Sequence, residues 1–414
     1  MKFNFLQPDR TLRNPQGEAK MTTWPKAQDV PNELTTGRRI MRPLWLGGAT
    51  FSAILGLLAP GPAGAWERGD VANFAAIPAF APSGPGAACP NGAQSCTSDV
   101  EGVAVAPDGT VYAASYGFNS DGAVGGYGEL FAFAPNGQLL SHFPVIGSSP
   151  HLIGLEYQQS SESVLIADLG KGVVWKVNPK TQTTSIFMQA PTIIAGKLPG
   201  LNALTFDKSG NVYISDSFQG VIWRTGPSGG TPTAWYAPTN PGQNDLLLPD
   251  ANAGELLSPP FGANGIAFNN GGTALFATNT AYNSIVKIPV KVDGSAGAGV
   301  TFATGLNAPD GLAVDANDNL WVPANQGNEI VVVAPDGTVV AKKGDFDGIT
   351  DDGSIRGLLF PASVAFSPDR RRMYVTNLAL YLPFAGVPAS AVDSGWTLKV
   401  KHHNIAVIDI PPRQ

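Results

Sequence analysis

Four residues, each tens of positions from the next, share one local context and one kind of chemistry. Glu101 opens the phrase EGVAV, Asn202 opens NALTF, Asn264 opens NGIAF and Asp310 opens DGLAV. Each side chain carries oxygen. Two carboxylates and two amide oxygens make a hard donor set with about two negative charges, which suits Ca²⁺ better than Zn²⁺, although another divalent cation is compatible. Four protein ligands leave coordination positions for water or substrate. Two further copies open at His151 (HLIGL) and Ala362 (ASVAF). His151 is a candidate general base or substrate contact above the cation. Ala362 brings no chemistry, and Ser363 beside it has no evident base partner. A single Asn or Asp next to Gly at a strand entrance is ordinarily a turn residue. Four in register are not explained that way, because Pro-Asp-Gly turns already serve the hairpins.

The six copies follow one another at spacings of 50, 51, 62, 46 and 52 residues. A period near fifty residues, built of short strands and tight turns, is the mark of a propeller blade. The predicted fold is all-β: a six-bladed β-propeller of four-stranded antiparallel blades. One blade reads Ala203–Phe206, Val212–Ser215, Val221–Arg224 and Thr233–Tyr236, with turn residues between. The sixth unit reaches its third strand at Ile405–Ile410 and lacks a fourth. A closed ring leaves no open edge, so Val71–Ile77 is expected to supply that strand. Hairpins such as Pro107-Asp108-Gly109 and Pro335-Asp336-Gly337 are short. The alternate connections, including 117–128, 189–201, 237–263, 343–361 and 378–403, are long. They belong on the face that carries the variable residues, where function usually sits. Glu255, Tyr282, Tyr381 and Trp396 are candidates to shape a pocket there. Asp168, Asp216, Asn279 and Asn377 end second strands in equivalent places, where they are expected to bind loop backbone.

Residues 38–65 read as an export leader: Arg38, Arg39 and Arg42, an apolar run from Leu44 to Leu58, and Ala63-Gly64-Ala65 before Trp66. Met41 is an alternative start, and Sec and twin-arginine export both remain open. The expected organisation is a leader over 1–65, a closing strand and cysteine loop over 66–100, and the propeller over 101–414. The protein is expected to be periplasmic or extracellular, with no stable membrane anchor once the leader is removed. Beyond residue 65 there are 18 basic and 28 acidic residues, a net charge of −10. That balance disfavours nucleic acid or an anionic membrane as partner. Cys89 and Cys96 are the only cysteines. A local disulfide is the first expectation; a metal site or a catalytic thiol finds no further Cys and no nearby His to support it.

The phrases VEGVAVAPDGTVY, LNALTFDKSGNVYISD, ANGIAFNNGGTALFATNT, APDGLAVDANDNLWV and PASVAFSPDRRRMYVTN resemble the SMP-30/gluconolactonase/luciferin-regenerating-enzyme-like propellers. That family is related more distantly to the paraoxonases and squid-type diisopropylfluorophosphatase. The resemblance implies a catalytic divalent cation, usually Ca²⁺, held by Glu101, Asn202, Asn264 and Asp310. His151, within Ser149-Pro150-His151, is similar to a paraoxonase histidine proposed as base. Asp310 is implied as ligand and as base or nucleophile. The implied activity is metal-dependent hydrolysis of a small lactone or ester. The competing expectations are a non-catalytic propeller that binds a ligand or protein around a structural cation, a lyase or strictosidine-synthase-like enzyme on the same scaffold, and a purely structural ring with no cation.

Overall fold

The structure is a computed structural model and describes residues 68–249, 261–385 and 394–410. The leader and Glu255 lie outside the described residues. Residues 66–414 form one compact unit.

Six four-stranded antiparallel sheets are the blades of a six-bladed β-propeller. Blade one comprises Val100–Val105, Val111–Ser115, Glu129–Phe133 and Leu139–Pro144. The innermost strands of the other blades are Leu152–Gln158, Leu201–Phe206, Ala263–Phe268, Ala313–Val314 and Pro361–Phe366. The second and third strands of the blades are rich in Val, Ile, Leu and aromatic residues, which fit a pleated, buried surface. Turn chemistry ends them. In the first hairpin the Asp108 carboxylate accepts the Thr110 amide at 2.9 Å, and Gly109 adopts φ +86°, a conformation that favours glycine. Asp336 and Thr338 repeat the arrangement in blade five at 2.9 Å.

The core lies between blades. Leu130, Val164 and Ile166 pack between blades one and two; Ile285, Val322 and Val333 pack between blades four and five. Each such buried aliphatic side chain contributes about 1.5–3 kcal/mol by leaving water.

The N-terminal stretch closes the ring as expected. Val71–Ala76 pairs antiparallel with Asn404–Asp409 and completes blade six. Phe74 from this strand sits against Phe133 of blade one at 6.4 Å and Tyr374 of blade six at 4.6 Å, so it fills the seam. Asn73 accepts a hydrogen bond from Asn404 at 3.1 Å. Just ahead, Arg68 pairs with the buried Glu329 at 2.7 Å. Cys89 and Cys96 form the expected disulfide.

His403 lies at the entry to the strand that receives this closure, and its carbonyl accepts the Ile77 amide at 2.9 Å. Its ring is buried, and neither ring nitrogen has a hydrogen-bond partner. Burial, with a smaller contribution from His402, pushes its pKa down to about 3. The unfolded chain therefore takes up this proton at higher pH than the folded one. His403 supports folding fully above about pH 6.5, and that support is lost as pH falls toward 3. His403→Leu should remove this term. In denaturant unfolding, its stability relative to the parent should rise below pH 6.5, by at most about 1.4 kcal/mol per pH unit. A difference that stays flat from pH 7 to 4 contradicts the assignment.

Candidate functional site

Neighbouring inner strands touch through their backbones around the axis. The Gly265 amide donates to the Asp310 carbonyl at 3.0 Å, and the Gly311 amide donates to the Ala362 carbonyl at 2.8 Å. A Cβ on Gly102 would stand 2.3 Å from the Ile153 carbonyl oxygen, and one on Gly154 would stand 2.3 Å from that of Asn202. Only glycine permits so close an approach. The residue before each of these contacts is thereby drawn toward the axis.

The strand ladders fix which residues are equivalent. Val100 pairs with Ser115, Leu152 with Asp168, Leu201 with Asp216, Ala263 with Asn279 and Pro361 with Asn377. Pro309 is bridged to Ala324 in the same way. The axial positions one residue later are Glu101, Ile153, Asn202, Asn264, Asp310 and Ala362. The second-blade position therefore belongs to Ile153 and not to His151, a shift of two residues from the sequence pattern. The ladder explains it: the small residue that allows close approach is Gly154, and the axial residue precedes it.

Glu101, Asn202, Asn264 and Asp310 line one cavity on the axis, together with Ile153. The space measures about 30 Å³, enough for an ion with one or two waters. All four polar side chains are buried. Glu101 Oε2, Asn202 Oδ1, Asn264 Oδ1 and Asp310 Oδ1 each lack a hydrogen-bond partner. Among the described residues, nine buried side-chain polar atoms are in this state, and four of them meet here. A buried acceptor left unpaired costs about 1–3 kcal/mol, more when charged. The spare groups of Asn264 and Asp310 are, in contrast, committed. Asn264 donates Nδ2–H to Thr280 at 2.9 Å. Asn325 donates to Asp310 Oδ2 at 2.8 Å and to the Pro361 carbonyl at 2.7 Å. In Asp310 and Asn264 one oxygen is left toward the cavity while a neighbour engages the other polar atom.

The electrostatics agree with that geometry. Burial pushes the Asp310 carboxyl up to about 7, against the lowering effect of hydrogen bonds from Asn325 and Asn264. Glu101 is pushed well above the usual carboxylate range by burial, then by the Asp310 and Asp99 charges, with Ser363 opposing. Two carboxylates facing one buried cavity cannot both ionise cheaply without a counter-charge. Among the described residues no three His, Cys, Asp or Glu side chains group as a metal cluster. The axial set has only two carboxylates, and its other two donors are amides. Its oxygen-only chemistry fits a hard divalent cation.

Residues that the repeated phrase does not single out complete the wall. Tyr116, Thr280, Asn325 and Leu378 line the cavity. Each directly follows the end of a second strand, so they are equivalents of one another, and the strand ends already visible in the sequence could have located them. Phe261, Phe360, Leu380 and Leu382 come from connections and carry no periodic signal. Phe360 adopts φ +47°, a sparsely populated region for a bulky residue and one that recurs at functional sites.

His151 is buried but is not among the lining residues. Its Nδ1 lies 2.8 Å from the Tyr116 carbonyl; a carbonyl only accepts, so Nδ1 carries the proton. The ring stacks on Phe118 at 5.2 Å, and Phe118 stacks in turn on Phe384. Asp168, Asp216, Asn279 and Asn377 serve loop backbone, as expected. Asp216, for example, accepts the Gly200 amide at 2.9 Å and the Trp223 indole at 3.0 Å. Tyr282 and Trp396 are exposed away from the cavity lining, and Tyr381 packs on Phe384.

Residues 246–343 match the family model described as the SMP-30/gluconolactonase/LRE-like region. Similar solved structures include a gluconolactonase from Xanthomonas campestris, 14% identical, covering 82% of this chain and 99% of that one, with a TM-score of 0.51. A calcium-binding regucalcin from Agrobacterium tumefaciens is 17% identical, covers 76% of this chain and 92% of that one, and has a TM-score of 0.53. A luciferin-regenerating enzyme is 13% identical over 75% of this chain and 91% of that one, with a TM-score of 0.52. At such identities the likeness establishes the fold alone. No curated protein matches the chain significantly in sequence.

A raised carboxyl pKa has a definite thermodynamic sign. Below about pH 4, Asp310 is protonated in both folded and unfolded chains. Between there and about 7 only the folded chain keeps the proton, so folding stability falls as pH rises. In chelator-treated protein, where His403 contributes equally to both forms, the thermal stability of the parent relative to Asp310→Asn should fall from pH 4 to 7. A difference between the two proteins that stays flat over that range contradicts the assignment.

Proposed function

Starting from a chain that carries an SMP-30/gluconolactonase/LRE-like region, we propose that it is an exported, cation-dependent hydrolase that opens a lactone or cleaves an ester. Four unpaired oxygens converging on one buried cavity carry the proposal. Glu101, Asn202, Asn264 and Asp310 would hold the ion, with Ca²⁺ favoured by the oxygen-only donors. A bound cation supplies Lewis-acid polarisation of a carbonyl oxygen.

The chain's own groups supply positioning and proton handling. Asn325 pins Asp310 through Oδ2 and leaves Oδ1 facing the cavity. Asp310 is the carboxylate whose free oxygen faces the cavity and whose other oxygen is already held, which places it to take a proton from an attacking water. The Tyr116 phenol, held neutral by burial and the nearby Asp99, Glu101 and Asp310 charges, is a hydrogen-bond donor on the same wall. Phe360, Leu378, Leu380 and Leu382 keep bulk water out. Asp310 is thus favoured over His151 as the base. His151 holds the Tyr116 backbone through Nδ1 and acts on the site as a support.

Export is part of the proposal. The 38–65 segment supports it, and so does a disulfide, which persists in oxidising compartments. The partner is a small molecule; the acidic balance disfavours nucleic acid, and no helix among the described residues is long and apolar enough to cross a membrane.

On a panel of lactones and aryl esters, chelation should abolish turnover and added Ca²⁺ should restore it. Asn264→Ala and Asp310→Ala should each lower kcat/KM by roughly 10²-fold or more. Turnover indifferent to chelator and to both substitutions would reject the proposal.

A further inference from the structure

A second cavity lies at the other end of the inner strands. In each blade the innermost strand leads from the axial residue to the first hairpin, and it is the edge of its sheet. Three residues after Glu101, Ile153, Asn202, Asn264, Asp310 and Ala362 stand Ala104, Glu156, Thr205, Ala267, Ala313 and Ala365. The ladders make these six equivalent: Ala104 pairs with Tyr112, Glu156 with Leu165 and Thr205 with Tyr213, for example. Three strand residues span about 10 Å. All six line one cavity of about 430 Å³, a size that suits a small molecule. Alanine fills the other blades' positions and leaves the space open, so the chemistry falls to Glu156 and Thr205.

Glu156 is half-buried and borders this cavity. Burial pushes its carboxyl up to about 7, against the Tyr157 amide, which donates to it. Among the described residues no side chain engages either the Glu156 carboxylate or the Thr205 hydroxyl, and no three His, Cys, Asp or Glu group as a metal cluster. Alternate residues of an antiparallel edge strand turn both backbone groups away from the partner strand, which adds carbonyl acceptors to the wall. The Val314 carbonyl is one, and it accepts Arg370 at 3.1 Å. The other charged groups bordering the cavity are Asp207, Lys208 and Arg370, and each is engaged. Asp207 accepts the Ser209 and Asn211 amides at 2.8 and 2.9 Å. Lys208 donates to the Gly271 carbonyl at 3.0 Å, and the Arg370 guanidinium also lies over the Phe366 ring at 5.5 Å. Lys208 and Arg370 are exposed, where water and salt screen them. Glu156 sits farther in along its strand.

From this lining we propose that the hairpin end of the axis is a binding site for small hydrophilic primary ammonium compounds, separate from the four axial oxygens. An ammonium group brings three donors and no acceptor. The Glu156 carboxylate, the Thr205 hydroxyl and the edge carbonyls are acceptors placed to meet it, and the partial burial of Glu156 strengthens the ion pair. A metal ion fits poorly, because one carboxylate and one hydroxyl are few ligands for a hard cation and the space far exceeds an ion. The site does not depend on the hydrolase proposal.

Ligand-observed NMR titration of ethanolamine into the full-length protein with Ca²⁺ tests the assignment. Ethylene glycol lacks the charge, and choline lacks the N–H donors. Ethanolamine should bind saturably and at least about tenfold tighter than either. Glu156→Gln should weaken it by about tenfold or more, and Thr205→Val by about two- to tenfold, while Asp310→Asn leaves it unchanged. Affinity for the parent should fall as pH drops below about 7 and Glu156 takes up a proton, and Glu156→Gln should remove that dependence. No saturable binding, equal binding of ethylene glycol or choline, or ethanolamine binding unchanged in Glu156→Gln overturns the inference. Binding lost in Asp310→Asn but kept in Glu156→Gln puts the amine on the axial carboxylates and overturns it too. So does a second bound Ca²⁺ that Glu156→Gln removes, which assigns the cavity to a metal ion. None of these outcomes bears on turnover of lactones or esters, so the hydrolase proposal stands or falls separately.

Discussion

Four buried oxygens that face one another without partners dominate the centre of this molecule, and the rest of the structure is arranged to keep them there. Two belong to carboxylates, so their confinement in a buried cavity carries both desolvation and mutual repulsion. A chain free to relax would turn these side chains toward water or toward donors. For two of them this chain occupies the alternatives: Asn325 holds one face of Asp310, and Thr280 accepts a hydrogen from the Asn264 amide. Local strain of this kind persists only where the surroundings over-determine it, and a cation is the simplest compensation for it.

The over-determination comes from the ring. Inner strands approach through glycine until backbone meets backbone, and hydroxyls lock adjacent blades together. Thr376 donates to the Glu101 carbonyl across the seam between blades six and one, and Thr278 donates to that of Asp310 between blades four and five at 2.5 Å. Closure by Val71–Ala76 matters to the site for the same reason. It completes blade six, whose second strand supplies Thr376. A segment far from the cavity therefore bears on the position of Glu101.

Much of this was legible in the sequence. The fifty-residue period exposed the propeller because each blade must repeat the same strand and turn chemistry. The missing fourth strand of the last unit pointed to Val71–Ile77 because an open edge is unstable. Glu101, Asn202, Asn264 and Asp310 were visible because each is followed by a small residue. The second blade was misregistered for the converse reason. His151 offered chemistry, but the small residue there is Gly154, which makes Ile153 the axial position. Tyr116, Thr280 and Asn325 were hidden because they follow second strands, where the pattern drew attention to the strand-ending Asp and Asn. Phe360, Leu380 and Leu382 were not legible at all, since irregular connections have no period to reveal which side chains turn inward.

Calorimetric titration of Ca²⁺ into chelator-treated protein tests the central claim most directly. One ion should bind per chain, with release of protons near neutral pH as Glu101 and Asp310 become ligands, and binding should be lost in Glu101→Gln. No saturable binding, or binding that is unchanged by that substitution, would contradict the account.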